Sequence, residues 1–249
     1  MRFSKWLVLL SLIVASSMLA WACGGGGDNK SPTQTSPAGP TAAAGETPQS
    51  GGTPQAGGQF SGLSARFAQA NFKATFDVKS TGGTQGDFAG TMIMYKKGDL
   101  LREDFQSESG GQTTTATYIT TPDKSYVCSP ATQAGESDTC YSAPVQPGEG
   151  AGQIVADLEK VLTASSLQVV STSSRNIAGE DADCYTIRSS DLEGDAEICL
   201  SKEAVPLYTK STAQGAESTL EATAFSRDVS DSDFQPPYPV TDTSATSTP

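Results

Sequence analysis

The chain is 249 residues long, sets 16 basic against 28 acidic side chains for a formal charge of −12, and contains no histidine. That acidity disfavours nucleic acid and anionic lipid headgroups as partners of its surface. The absence of imidazole excludes a Ser-His or Cys-His nucleophile pair and any His-ligated metal. No spacing of lysines or carboxylates points to other chemistry, so the chain reads as a non-enzymatic protein without cofactor or metal.

Arg2 and Lys5 form a short cationic start, and residues 6–20 (WLVLLSLIVASSMLA) are an apolar run of signal-peptide length. Ended this soon by small residues, the run falls short of the roughly 20 apolar residues of a spanning helix. The stretch Met18-Leu19-Ala20-Trp21-Ala22-Cys23-Gly24 resembles a bacterial lipoprotein box, with Ala20 and Trp21 standing where that pattern usually has Leu and a small residue. The resemblance implies that residues 1–22 are a signal peptide cut just before a lipidated Cys23, which anchors an exported protein to the outer face of the cell membrane. Ala20-Trp21-Ala22 also reads as an ordinary A-x-A site, which would cut the same bond and release a soluble protein with a free thiol at Cys23.

Cysteine arithmetic favours the anchor. Cys23 is the odd one of five, and setting it aside leaves Cys128, Cys140, Cys184 and Cys199, an even set suited to an oxidising compartment. Loss of the signal removes both tryptophans, Trp6 and Trp21, together with Arg2 and Lys5 and no acidic residue, taking the charge from −12 to −14. Membrane attachment then depends on acyl chains. One chain binds only marginally, and the diacylglyceryl group implied by the box supplies two.

Residues 23–59 carry the lipidated cysteine and a Gly/Pro/Thr/Ser/Ala-rich linker with almost nothing large and apolar. Such a segment cannot offset the entropy of ordering and is expected to be disordered. About 36 flexible residues span roughly 30–35 Å, enough to hold a domain clear of the headgroups. Residues 60–240 are one domain's worth of chain, and residues 241–249 are a polar tail expected to be disordered.

The domain opens with a short helical pattern, Phe60, Leu63 and Phe67 at i, i+3 and i+7. Period two then takes over. Across residues 70–79, Phe72, Ala74, Phe76 and Val78 share one face, and Asn71, Lys73, Thr75 and Asp77 the other, the mark of a half-buried antiparallel strand. Further strands are predicted over 88–95, with Phe88, Met92 and Met94 on one side, and over 100–105, 113–121, 125–129 and 138–142. Residues 151–165 are the one strong helix, with Ile154, Val155, Leu158, Val161 and Leu162 on a stripe. Strands resume over 167–171, 184–188, 196–201, 207–211 and 218–225. About ten strands exceed what one flat layer holds, so the sheet is expected to curl or close. The fold class is mainly β with a helix (α+β): a curled, unclosed, barrel-like antiparallel sheet with one amphipathic helix on its concave face.

The lipidated cysteine, low-complexity linker and strands with a helix at mid-chain are similar to the LolA-like lipoprotein-carrier fold, with which the LppX/LprG-type lipid-carrying lipoproteins belong. The segments Tyr95-Lys-Lys-Gly-Asp-Leu-Leu-Arg-Glu-Asp104, Ala182-Asp-Cys-Tyr-Thr-Ile187, Glu197-Ile-Cys-Leu-Ser-Lys202, Pro206-Leu-Tyr208 and Phe234-Gln-Pro-Pro237 fit this resemblance. It implies an unclosed antiparallel barrel with helices in its mouth and an apolar cavity for acyl chains. This chain offers one convincing helix where relatives use several as a lid.

Cys128 and Cys140 flank a Pro/Gly/Ser-rich turn, and Cys184 and Cys199 lie in two strands joined by residues 189–195. Opposed residues of antiparallel strands stand about 4.5–5.5 Å apart, which suits two local disulfides. The rivals are the two other connectivities and a four-cysteine zinc site, the last without any C-x-x-C spacing. The acidic cluster Asp191, Glu193, Asp195 and Glu197 fails as an EF-hand loop, because Ala196 and Lys202 occupy the required Gly and Glu positions. It reads as a solvated turn, as do Asp228, Asp231 and Asp233.

Phe72, Phe76, Met92, Met94, Leu101 and Phe105 are the sheet residues that could face Ile154, Leu158 and Leu162 of the helix. Two readings follow. In one, sheet and helix leave an apolar cavity that binds or carries lipid or another apolar ligand. In the other, the same residues are a solid core, and the protein is a surface interaction or sensing module acting through its loops.

Overall fold

The computed structural model describes residues 58–82, 87–109, 112–131, 136–145, 151–163, 167–189, 194–213 and 215–243. The expected signal peptide, Cys23, the expected linker up to residue 57, Asp191 and Glu193 lie outside the described residues.

Twelve strands form one sheet: β1 (Asn71–Thr81), β2 (Phe88–Lys97), β3 (Leu100–Ser109), β4 (Gln112–Thr120), β5 (Lys124–Ser129), β6 (Thr139–Pro144), β7 (Leu167–Ile177), β8 (Glu180–Ser189), β9 (Ala196–Ser201), β10 (Pro206–Ala213), β11 (Ala216–Ser226) and β12 (Val240–Asp242). Their order across the sheet is β12-β6-β5-β4-β3-β2-β1-β11-β10-β9-β8-β7. Two antiparallel meanders therefore meet where β1 pairs with β11. The chain leaves the first meander through α2 (Ala151–Leu162), while α1 (Leu63–Gln69) precedes β1. β7 and β12 are opposite edges, so the curled sheet stays unclosed, as expected for the fold class.

Local chemistry accounts for the hairpins. Between β7 and β8, Ala178 and Gly179 have φ of +53° and +87°, the pair of positive values that a two-residue turn matching strand twist demands.

Two features depart from the reading of the chain as a sheet with one helix and a polar end. The Phe60, Leu63, Phe67 pattern becomes a true second helix, α1, with Leu63 and Phe67 buried. Beyond residue 240 the expected tail does not begin at once. Thr241 and Asp242 pair in parallel with Tyr141 and Ser142 of β6, and Thr243 donates its backbone N–H to the Ser142 carbonyl at 3.0 Å. Residues 244–249 lie outside the described residues.

Cross-strand register assigns side chains to faces, since directly opposed residues point the same way. Val78, Leu220, Thr209, Ile198 and Tyr185 line up on one face across five strands. That face carries the helices: the Phe60 ring meets Tyr185 edge-on at 4.8 Å, and Phe67 meets Phe72 at 6.0 Å. Leu63, Phe67, Val155 and Leu162 are buried there. The opposite face has its own smaller cluster of Tyr95, Ile119 and Phe234. Phe234 arrives on a short 3-10 helix, Asp231–Phe234, held by Lys97 to Asp231 (2.7 Å) and by Arg102 Nη1 donating to the Asp233 carbonyl (2.8 Å).

Candidate functional site: the concave face and its helical cover

The two helices are locked to each other by polar groups far apart in sequence. α1 begins at Gly62 with no cap of its own and no acid in its first turn. The carboxylate of Glu159, on α2, supplies both. Its Oε1 accepts from Gly62 N–H at 2.6 Å, and its Oε2 accepts from Ser64 N–H at 2.9 Å and from Ser64 Oγ. A negative group over unpaired N–H donors at a helix start satisfies them and complements the dipole. These bonds to Ser64 and Gly62 hold the Glu159 carboxyl below its usual range.

At the other end of α1, Lys96 is buried and donates Nζ to the carbonyls of Ala68 (3.3 Å) and Gly98 (2.5 Å), with the Phe67 ring 5.1 Å away. Burial pulls its pKa down, opposed by Asp99. A seven-residue helix is marginal alone; this one is held at both ends by distant charges.

Replacing Glu159 with Gln should lower stability by about 1 kcal/mol, the usual worth of a helix cap. The sign is set by the lowered carboxyl pKa. The contribution is present above the unfolded carboxylate range near pH 4.5 and is lost as pH falls through the folded value. Urea midpoints of wild type and E159Q should therefore differ at neutral pH and converge in acid.

Of the nine predicted cavity residues, Phe72, Phe76, Met92, Met94, Leu101 and Leu162 are buried, and Phe105 and Leu158 are half-buried. The side chain of Ile154 lies outside the described residues. Phe72 stacks on Phe225 at 5.6 Å, and Phe105 on Phe88 at 5.9 Å.

One row of opposed residues crosses the concave face from under the helices to the β6 side: Ala74, Met94, Glu103, Tyr118, Val127 and Tyr141. Exposure climbs along it. Ala74 is 0% exposed and Met94 8%, Glu103 and Tyr118 are half-buried, and Val127 and Tyr141 reach 47% and 50%. Along this row the cover is complete at β1 and thins toward β5 and β6.

Glu103 interrupts the row. Its strand neighbours on this face, Leu101 and Phe105, are apolar, and this desolvation pushes its carboxyl up to about 7, although water still reaches part of the side chain. Period two places Glu103 between Leu101 and Phe105, so its signal is present in the sequence, although only its apolar neighbours stand among the expected cavity residues. Because the folded pKa lies above the unfolded one, folding is favoured below about pH 4.5 and the advantage is lost as pH rises through 7. E103Q should be more stable than wild type by about 2 kcal/mol at pH 8, a figure reduced for partial solvation, with no gain at pH 4. Thermal melts at the two pH values check this.

The cysteines pair locally, Cys128 with Cys140 and Cys184 with Cys199, each on directly opposed residues. Both bonds face away from the helices. Among the described residues, the group of metal-ligand types drawn together is Cys184, Glu197 and Cys199, and its two sulfurs are bonded to each other. Asp195 pairs with Arg188 at 2.6 Å, and Glu197 with Arg175 at 3.2 Å. Asp233 accepts from Ser230 N–H at 2.7 Å. These acids serve structure.

Two hollows among the described residues are open clefts. One, of about 320 Å³, is bordered by Phe72, Val205, Phe225, Glu203 and Arg227, at one end of β1 and β11. The other, of about 340 Å³, is lined by polar residues including Arg175, Asp181, Asp183 and Lys202.

No family model and no curated protein matches the chain. Among solved structures it is similar to an uncharacterised conserved protein of Thermus thermophilus, at 12% identity and TM-score 0.43, covering 74% of this chain and 97% of that one. It is also similar to the MucA/MucB complex of Pseudomonas aeruginosa, at 16% identity and TM-score 0.45, covering 70% of this chain and 58% of that one. A third similar structure is the lipoprotein LppX of Mycobacterium tuberculosis, at 11% identity and TM-score 0.34, covering 68% and 97%. These are likenesses in the course of the chain.

Proposed function

We propose that this protein is an exported, non-enzymatic lipoprotein of the cell envelope, anchored through Cys23, which holds an acyl chain or similar apolar group against the open part of its concave face. The observation that supports this reading is the exposed end of the Met94-to-Tyr141 row. Half-buried Tyr118 and exposed Val127 and Tyr141 stand side by side on three adjacent strands, where a solid-core module would bury or replace the exposed pair. Scattered apolar residues on a surface need no explanation, but Tyr118, Val127 and Tyr141 adjoin one another, beyond Glu103 and the buried part of the row, and such a cluster suits an apolar occupant. The linker of residues 23–59 gives the domain reach from the membrane, and the acidity of the chain leaves the acyl anchor to do the attaching.

The experiment is mass spectrometry in two forms. Protein isolated from its host membranes should show a diacylglyceryl cysteine at a mature N-terminus beginning with Cys23. The Cys23→Ala chain, exported and purified without detergent, should retain a hydrophobic molecule in native spectra. An empty chain that also fails to take up a fluorescent acyl probe would leave the interaction-module reading in its place.

A further inference from the structure

Glu103 is the one carboxylate in the cross-strand row of the concave face, flanked by Met94 and Tyr118 across the strands and by Leu101 and Phe105 along its own. No ion pair joins it among the described residues. Lys96 shares this face on β2, but its Nζ is spent on the Ala68 and Gly98 carbonyls. Arg102 and Lys97 point to the other face, where they hold Asp104 and Asp231, and Lys73 lies over the Tyr95 ring there. Tyr118 is the titratable neighbour on β4. The acid's shift to about 7 has desolvation as its cause.

An apolar chain laid along this row would strip away the water that Glu103 still has. A buried charge without a partner is costly, and a second carboxylate beside it adds repulsion. A hydroxyl or ammonium group would instead donate to it, in a charge-assisted bond. On the basis of the proposed function, we infer that the concave face selects amphiphiles whose polar end donates a hydrogen bond, an alcohol or an amine, over those ending in a carboxylate, and that Glu103 is the selecting group.

The test is displacement of a neutral fluorescent reporter, N-phenyl-1-naphthylamine, from the full Cys23→Ala chain by dodecanol or dodecanoate. At about pH 8.5 dodecanol should displace at least about tenfold more effectively, and at about pH 5.5 the gap should shrink to about threefold or less. In E103Q the gap at about pH 8.5 should close to about threefold, dodecanoate gaining as the repulsion goes and dodecanol weakening as the charge-assisted bond is lost. A gap unchanged in E103Q overturns this inference alone, because uptake itself would persist. Wild-type chain that takes up neither reporter nor either amphiphile overturns the carrier reading, and the inference with it.

Discussion

Reducing both disulfides is expected to leave the domain unfolded or close to it at 37 °C. Each bond closes a loop of known length, with sequence separations of 12 and 15 residues. In the chain-entropy description, loops of this size contribute about 3 kcal/mol each. The two bonds lie in separate hairpins, β5–β6 and β8–β9, on opposite sides of the β1–β11 junction, so their effects should add to about 6 kcal/mol. Domains of this kind are stable by only about 5–15 kcal/mol. The check is urea unfolding of oxidised and reduced chain, alongside the two Cys→Ser pairs separately. A reduced chain with an unmoved midpoint would show that sheet pairing alone holds the hairpins. Both bonds sit on the face away from the helices, so either single pair of substitutions should weaken the fold without uncovering the concave face.

Phe72→Ala should cost about 3–5 kcal/mol, the largest effect expected from one substitution. Phe72 is fully buried and lies between Phe67 of α1 and Phe225 of β11, at 6.0 and 5.6 Å. It therefore carries contacts between the cover and the sheet, and between the first and second meanders. Truncation removes both sets and leaves a void that the adjoining strands, tied by their ladders, cannot close. A shorter apolar replacement, Phe72→Leu, should lose about half as much. Chemical unfolding measures the stability. Hydrogen exchange adds location: the amides of α1 should lose protection more than those of β4 and β5. A loss below about 1 kcal/mol would mean that α1 does not rest on this ring.

The sequence alone determined the class of architecture, because period-two alternation is a local property that survives without knowledge of neighbours. The alternation of Phe72, Ala74, Phe76 and Val78, the stripe of residues 151–165 and the pairing of nearby cysteines all depend on residues within about 15 positions of each other. The pattern read as an export signal ending at Cys23 is legible for the same reason: it is linear sequence. Nothing local could show that α1 would be capped by Glu159, whose carboxylate comes from 95 residues away. Lys96 became a buried cation because the Ala68 carbonyl at the end of α1 came to lie within its reach. The 3-10 helix and β12 took the end of the domain onto the far face through Phe234 and the Ser142 ladder. Glu103 stands between the two cases. Its face follows from alternation with Leu101 and Phe105, but its consequence follows from what the other strands bring alongside. Which part of the concave face is covered depends on where two short helices come to rest, and that is a matter of tertiary contact. Hydrophobic patterning specifies that a face must be apolar; only packing decides what, if anything, covers it.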